Sequence, residues 1–208
     1  MAEFLSVRSD VGRLHDCAPA RELGGHYGGA VYLVEKYKPR VVMGEADWKQ
    51  TETKLEFSLP LWGPVPKRDL SVSDGDKITL GDTTVTVNIT PGHTLGTITP
   101  TFDVKSGGKT HRVLLWGGTA FNFGKDVPRL ESYIAATQRM AKLVEAQKID
   151  VMLSNHAGYD ETVPKLEALR KGGGSGTNPF VIGTAAVTRG LNAMGECGLA
   201  QRDRFLLQ

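Results

Sequence analysis

A β-rich run at residues 83–89 stops at Thr90-Pro91-Gly92-His93-Thr94-Leu95-Gly96-Thr97, and that octet constrains the fold more than any other stretch. Val85, Val87 and Ile89 alternate with Thr84, Thr86 and Asn88, so one face of the strand is apolar. Proline removes a ladder donor and glycine opens the turn, so pairing ends there. Upstream, residues 77–80 form a second β-rich run, and Gly81-Asp82 between the two is a turn of the primed type that closes a hairpin. The octet therefore mounts the His93 imidazole at the end of a paired strand, where a metal ligand is commonly carried.

Two more histidines share that setting. The apolar run 149–153 reads as a buried strand and leads into Ser154-Asn155-His156-Ala157-Gly158-Tyr159. His26 lies in Gly24-Gly25-His26-Tyr27-Gly28-Gly29, just before a helical pattern at 30–37 set by Val31, Leu33, Val34 and Tyr37. Taken singly, each reads as a hydrogen-bonded structural residue. Together they place imidazoles beside glycine at three turns.

The remaining pattern is mixed α and β. Pro39 ends the helix at 30–37, and Val41, Val42 and Met43 follow as a short strand. Three prolines and Trp62 make residues 60–66 a rigid surface loop. Residues 97–104 and 111–116 pair as strands around Lys105-Ser106-Gly107-Gly108. From Pro128 onward, Leu130, Tyr133, Ile134, Thr137, Met140, Ala141 and Val144 follow the helical period, and proline suits a first turn. Thr162 caps a short helix that stops at Gly172. Residues 172–176 form a flexible glycine loop without the Lys-Ser/Thr ending of a phosphate-binding loop. Val187, Leu191, Met194 and Cys197 mark a last helix, weakened by Gly190, Gly195 and Gly198.

Composition narrows the class. With 40% hydrophobic and 23% charged residues over 208 positions, the chain is a globular domain. A net charge of +2 and the absence of a basic run argue against nucleic acid as a partner. Cys17 and Cys197 are too few for a disulfide framework. The sequence has no apolar run long enough to span a membrane, and residues 1–10 have no signal-peptide core. A cytoplasmic protein acting on a small molecule is the expectation.

The order and context of His26, His93 and His156 resemble the metallo-β-lactamase superfamily, closest to its B3-like branch. The resemblance rests on Pro-Gly-His-Thr at 91–94, the preceding Gly-Asp-x-Ile-x-Leu-Gly hairpin, and the late strand ending in Asn155-His156. It implies an αββα sandwich, two packed sheets with helices outside. It also implies zinc: His93 would hold the first ion, and His26 with His156 the second. The parent chemistry would be hydrolysis of a lactam, lactone or related ester or amide. Asn155 and Tyr159 would be weak candidates for polarising the carbonyl.

The chain departs from that family in two respects. The family's main motif, His-x-His-x-Asp-His, should end at His26, but Arg21, Leu23 and Gly25 stand at the earlier positions. Arg21 brings a cation to a cation site, Leu23 offers no lone pair, and Gly25 removes a carboxylate. His15 and Asp16 do not match as replacements by spacing. Residues 1–25 show no strand pattern and read as a segment apart from the metallo-β-lactamase-like domain at 26–208. The sandwich is therefore expected to be incomplete in its first half. Val85, Val87, Ile89, Val113 and Leu115 would then lack cover, which favours a homo-oligomer. The reading that follows is a hydrolase-like chain with a degenerate metal centre and reduced zinc occupancy. Its rival is an inactive truncated descendant that binds or interacts.

Overall fold

The computed structural model describes residues 27–53, 63–121, 123–172 and 177–207. His26, Arg21, Leu23, Gly25, His15 and Asp16 lie outside them, as do the boundary at residue 25, residues 60–62 and residues 173–176.

Helix α1 (Ala30–Tyr37) matches the sequence period, and Lys38 closes it in a left-handed conformation, donating its N–H to the Val34 carbonyl at 3.0 Å. Strand β1 (Val42–Gly44) follows, then α2 (Glu45–Thr53), and β2 (Leu70–Val72) pairs parallel with β1. Neither α2 nor β2 was expected. The α2 sequence is almost wholly polar, so it carries no apolar stripe to read. Trp48 anchors it, fully buried, with Nε1 donating to the Leu70 carbonyl at 3.0 Å.

The second sheet has five strands in the order β3-β4-β5-β6-β7. β3 (Lys77–Leu80) and β4 (Thr83–Thr86) form the expected hairpin around Gly81 at φ +61°, with Ile78 opposite Val85. The ladder strand is shorter than the 83–89 run, but pairing continues beyond it. Asn88 and Thr99 exchange backbone bonds, Ile89 bridges Ile98, and Thr90 donates to the Thr97 carbonyl. β5 (Thr101–Ser106) and β6 (Lys109–Trp116) pair antiparallel across Gly107-Gly108. β7 (Val151–Ser154) then lies parallel to β6. Parallel neighbours need a crossover, and α3 (Val127–Gln147) supplies it. α3 opens on Asp126, whose Oδ1 accepts from the Arg129 N–H at 3.0 Å.

α4 (Thr162–Lys171) follows β7, with Glu161 rather than Thr162 at its N-cap position. α5 (Thr184–Leu206) runs unbroken despite three glycines. Packing explains this: a Cβ at Gly195 would lie 2.9 Å from Thr137 Oγ1, and one at Gly198 2.9 Å from Ile134 Cγ1. Their cost in helix propensity is offset by close approach to α3. The core sits between β6, α3 and α5, with Leu114, Trp116, Tyr133, Met140, Val144, Ile149, Val187 and Leu191 buried together.

The expectation of a bare sheet face is not met. Val87 and Val113 are buried within the single chain, at 2% and 1% exposure, and Val85, Ile89 and Leu115 are partly buried. No described helix is long and apolar enough to cross a membrane.

Candidate metal centre

β6 and β7 run parallel and deliver their C-terminal ends to the same edge of the sheet. The His93 turn meets them there. A Cβ on Gly118, just past β6, would lie 2.2 Å from the Cβ of His93, so only glycine lets the two segments touch. Gly92 has φ +149° and packs its α-carbon against α3, where a Cβ would lie 2.5 Å from the Tyr133 Cβ. Glycine at 92 is thus set by backbone and by space.

His93 is buried, and its Nδ1 lies 2.9 Å from the Ala120 carbonyl. A carbonyl oxygen only accepts, so Nδ1 carries the proton and Nε2 carries the lone pair. Backbone orientation of one ring nitrogen is how proteins fix a histidine for metal binding through the other. Burial pushes the His93 pKa down, the Ala120 contact partly offsets this, and the positive fields of Arg129 and His156 push it down further. The ring is therefore kept neutral, the form that binds metal. His156 thus lies within electrostatic reach of the His93 ring.

His156 stands on a more open turn after β7. Its N–H donates to Ser154 Oγ at 3.2 Å, and Asp160 shapes the loop by accepting from Ser154 N at 2.8 Å and Thr162 N at 3.0 Å. Tyr159 meets the His156 ring edge-on, at 5.9 Å between centroids, and is itself 61% exposed. Asn155 donates Nδ2 to the Gly117 carbonyl at 2.9 Å, tying the end of β7 to that of β6.

Two charged residues beside His93 were missed by sequence reasoning. Arg129, buried in the first turn of α3, donates Nε to the Gly92 carbonyl at 2.9 Å and Nη2 to the His93 carbonyl, and stacks over Phe123 at 4.2 Å. The signal was present, since Arg129 lies one helical turn before Tyr133, on the stripe that enters the core. Asp47, buried in α2, accepts from Thr94 Oγ1 and Gly96 N, each at 2.8 Å. Burial pushes its pKa up, against the pull of those two bonds and of Arg129. The polar α2 sequence offered no comparable signal.

Among the described residues, no group of three His, Cys, Asp or Glu side chains is placed to hold a metal. A catalytic zinc takes three protein ligands and keeps one open position. His93 and His156 fit as two of the three, on donor chemistry and on the fixed tautomer of His93.

No protein-family sequence profile matches the chain, and no curated protein sequence does. Solved structures do match. BJP-1, a subclass B3 metallo-β-lactamase of Bradyrhizobium japonicum, aligns with a TM-score of 0.67 at 25% identity, covering 86% of this chain and 70% of that one. Native FEZ-1 from Legionella gormanii aligns at 0.66 and 22%, covering 86% and 71%. LRA-12, a class B3 di-zinc enzyme from an Alaskan soil metagenome, aligns at 0.66 and 19%, covering 86% and 68%. The chain thus spans about seven-tenths of the length of each of these structures. This fold, with 25% identity to BJP-1 over 86% of the chain, relates the chain to the metallo-β-lactamase superfamily, and it is similar to the B3 subclass.

Proposed function

We propose that the chain is a hydrolase-like protein with a reduced zinc centre, built on His93 and His156 with His26 as the third ligand. The observation that carries this is His93 itself: buried, neutral, held by Ala120 through Nδ1, and within electrostatic reach of a second imidazole. His93 and His156, with His26, would hold a zinc ion that would activate water near neutral pH and polarise a carbonyl. The chain's own part is to keep His93 neutral and oriented and to present His156 from the end of β7. Tyr159, exposed at the edge of the His156 ring, is the group available to meet a substrate oxygen. Asn155, tied through Nδ2 to the Gly117 carbonyl, stands beside His156 as the weaker candidate. The substrate class is a small lactam, lactone, ester or amide.

A second reading is favoured by Arg21, Leu23 and Gly25, which stand where the superfamily places His, His and Asp. Here the chain keeps the fold and has lost the reaction. Zinc content separates the two. Protein purified without chelators should hold at most about one weakly bound zinc per chain, since a catalytic site needs three ligands, and should hydrolyse lactams slowly or not at all. Zinc that fails to bind on titration selects the second reading. Two tightly held ions, or fast zinc-dependent hydrolysis, would overturn the reduced-centre proposal.

A further inference from the structure

We infer that Asp47, in the first half of the chain, is a positioning residue for His93. The His93 turn lies between two buried opposite charges. Arg129 reaches it from α3 and binds the carbonyls of Gly92 and His93. Asp47 reaches it from α2 and accepts from the hydroxyl of Thr94 and the N–H of Gly96. The turn's carbonyls thus face the cation, and its donors face the anion.

The proton directions follow. Thr97 Oγ1 accepts from Thr94 N at 2.9 Å and lies 2.7 Å from Thr94 Oγ1. With Thr94 Oγ1 donating to Asp47, the Thr97 hydroxyl donates to Thr94, to its Oγ1 or to its carbonyl at 3.1 Å. Both carboxylate oxygens of Asp47 are acceptors here, and an amide keeps only one of them and drops the charge opposite Arg129. Asn at 47, with its oxygen on the Gly96 N–H, sets its NH₂ against Thr94 Oγ1 and forces that hydroxyl to turn away and donate to Thr97 instead.

The contact leaves no slack, since a Cβ on Gly96 would lie 2.6 Å from Asp47 Cγ. Burying a charge costs several kcal/mol in order of magnitude unless it is fully paired, and apolar packing would hold a loop at lower cost. An anion retained here fixes one particular turn geometry. That geometry is what aims His93 Nδ1 at Ala120 and leaves Nε2 as the ring's lone-pair nitrogen. The small first-half sheet thereby contributes directly to the centre on the second.

The inference rests on the reading of His93 as a zinc ligand only for its metal-binding arm. The test compares Asp47→Asn, Thr94→Val and Thr94→Ser with the parent chain by two readouts. The first is the His93 Nδ1–H resonance in zinc-free protein, assigned by its loss in His93→Gln; bonded to Ala120 and buried, this proton exchanges slowly enough to be seen. The second is the zinc dissociation constant by competition with a chromophoric chelator. Asp47→Asn and Thr94→Val should shift or broaden the resonance and weaken zinc roughly ten- to a hundred-fold, the usual effect of removing an outer-shell partner. Thr94→Ser, which keeps the hydroxyl, should restore both. A resonance unchanged in Asp47→Asn and Thr94→Val, or absent from the parent chain, overturns the inference. Should Asp47→Asn fail to fold, Thr94→Val against Thr94→Ser decides. A parent chain that shows the resonance but takes no zinc overturns the metal reading alone, and the resonance then decides the role of Asp47.

Discussion

The two imidazoles stand on turns built in opposite ways. His93 is buried on a turn gripped by Arg129 on one side and Asp47 on the other, with Gly118 and Gly92 in contact around it. The helix that delivers Arg129 is capped by the Asp126 side chain. The His156 turn bonds to its own neighbours, Ser154 and Asp160, and to β6 through Asn155 and the Gly117 carbonyl. A Cβ on Gly158 would meet nothing within 4 Å, Tyr159 is exposed, and α4 has no buried residue. Its N-cap position is Glu161 at φ +55°, with no side-chain cap. One imidazole is buried in a turn gripped by two charged side chains, and the other stands on a more exposed turn tied to β6 through Asn155. A metal shared between them would take its position from His93, and His156 would adapt.

That contrast can be broken first at Gly118. Alanine there would put a carbon 2.2 Å from the Cβ of His93, which is tied to the backbone and cannot rotate aside. Overpacking of this kind costs about 1–3 kcal/mol. Gly118→Ala should lower the urea midpoint accordingly and shift the His93 ring resonances. A variant as stable as the parent, with those resonances unmoved, would show that the His93 turn is as loose as its counterpart.

Much of this architecture is legible in the sequence, and the reason is periodicity. The alternation at 83–89, the primed turn at Gly81, the apolar stripe of α3 and the Gly-flanked turns at His93 and His156 all follow from spacing. What spacing does not carry was missed. α2 is polar along its length and is held by one buried indole, so no period marks it. β2 is three residues long and acquires its partner only through the fold. Asp47 and Arg129 act on a turn more than thirty residues away in the chain. Their roles depend on desolvation and on hydrogen-bond direction, neither of which a linear pattern encodes. The cover over Val87 and Val113 is likewise a tertiary fact.

A smaller effect should appear on acidification. His93 has its pKa lowered below the ordinary 6.5 by burial. Just below that value the unfolded chain binds a proton that the native ring refuses. More protons are then bound in the unfolded state, so stability rises with pH and falls as the pH drops from 6.5 toward the native value. Below the native value the loss levels off. Urea midpoints from about pH 7 to about pH 5, compared between the parent chain and His93→Gln, isolate this contribution from that of other groups. The parent chain should lose more stability than the variant over that range. Equal losses would mean that His93 titrates as freely as an exposed imidazole, and the burial contrast between the two turns would fail.

The smallest effect belongs to the other turn. Gly158 has no atom within 4 Å of where a Cβ would stand, and its φ is not positive. Gly158→Ala therefore removes neither a needed conformation nor a needed gap. Replacing glycine at a compatible site restricts the unfolded chain and is worth about 0.4–1 kcal/mol in favour of the native state. The expected outcome is a midpoint equal to or slightly above that of the parent chain, with zinc affinity unchanged. Thermal and urea unfolding of Gly158→Ala beside Gly118→Ala would measure both turns on one scale. A Gly158→Ala chain destabilised as much as Gly118→Ala would place hidden packing at the His156 turn. The asymmetry between the two ligands would then be one of exposure alone and not of rigidity.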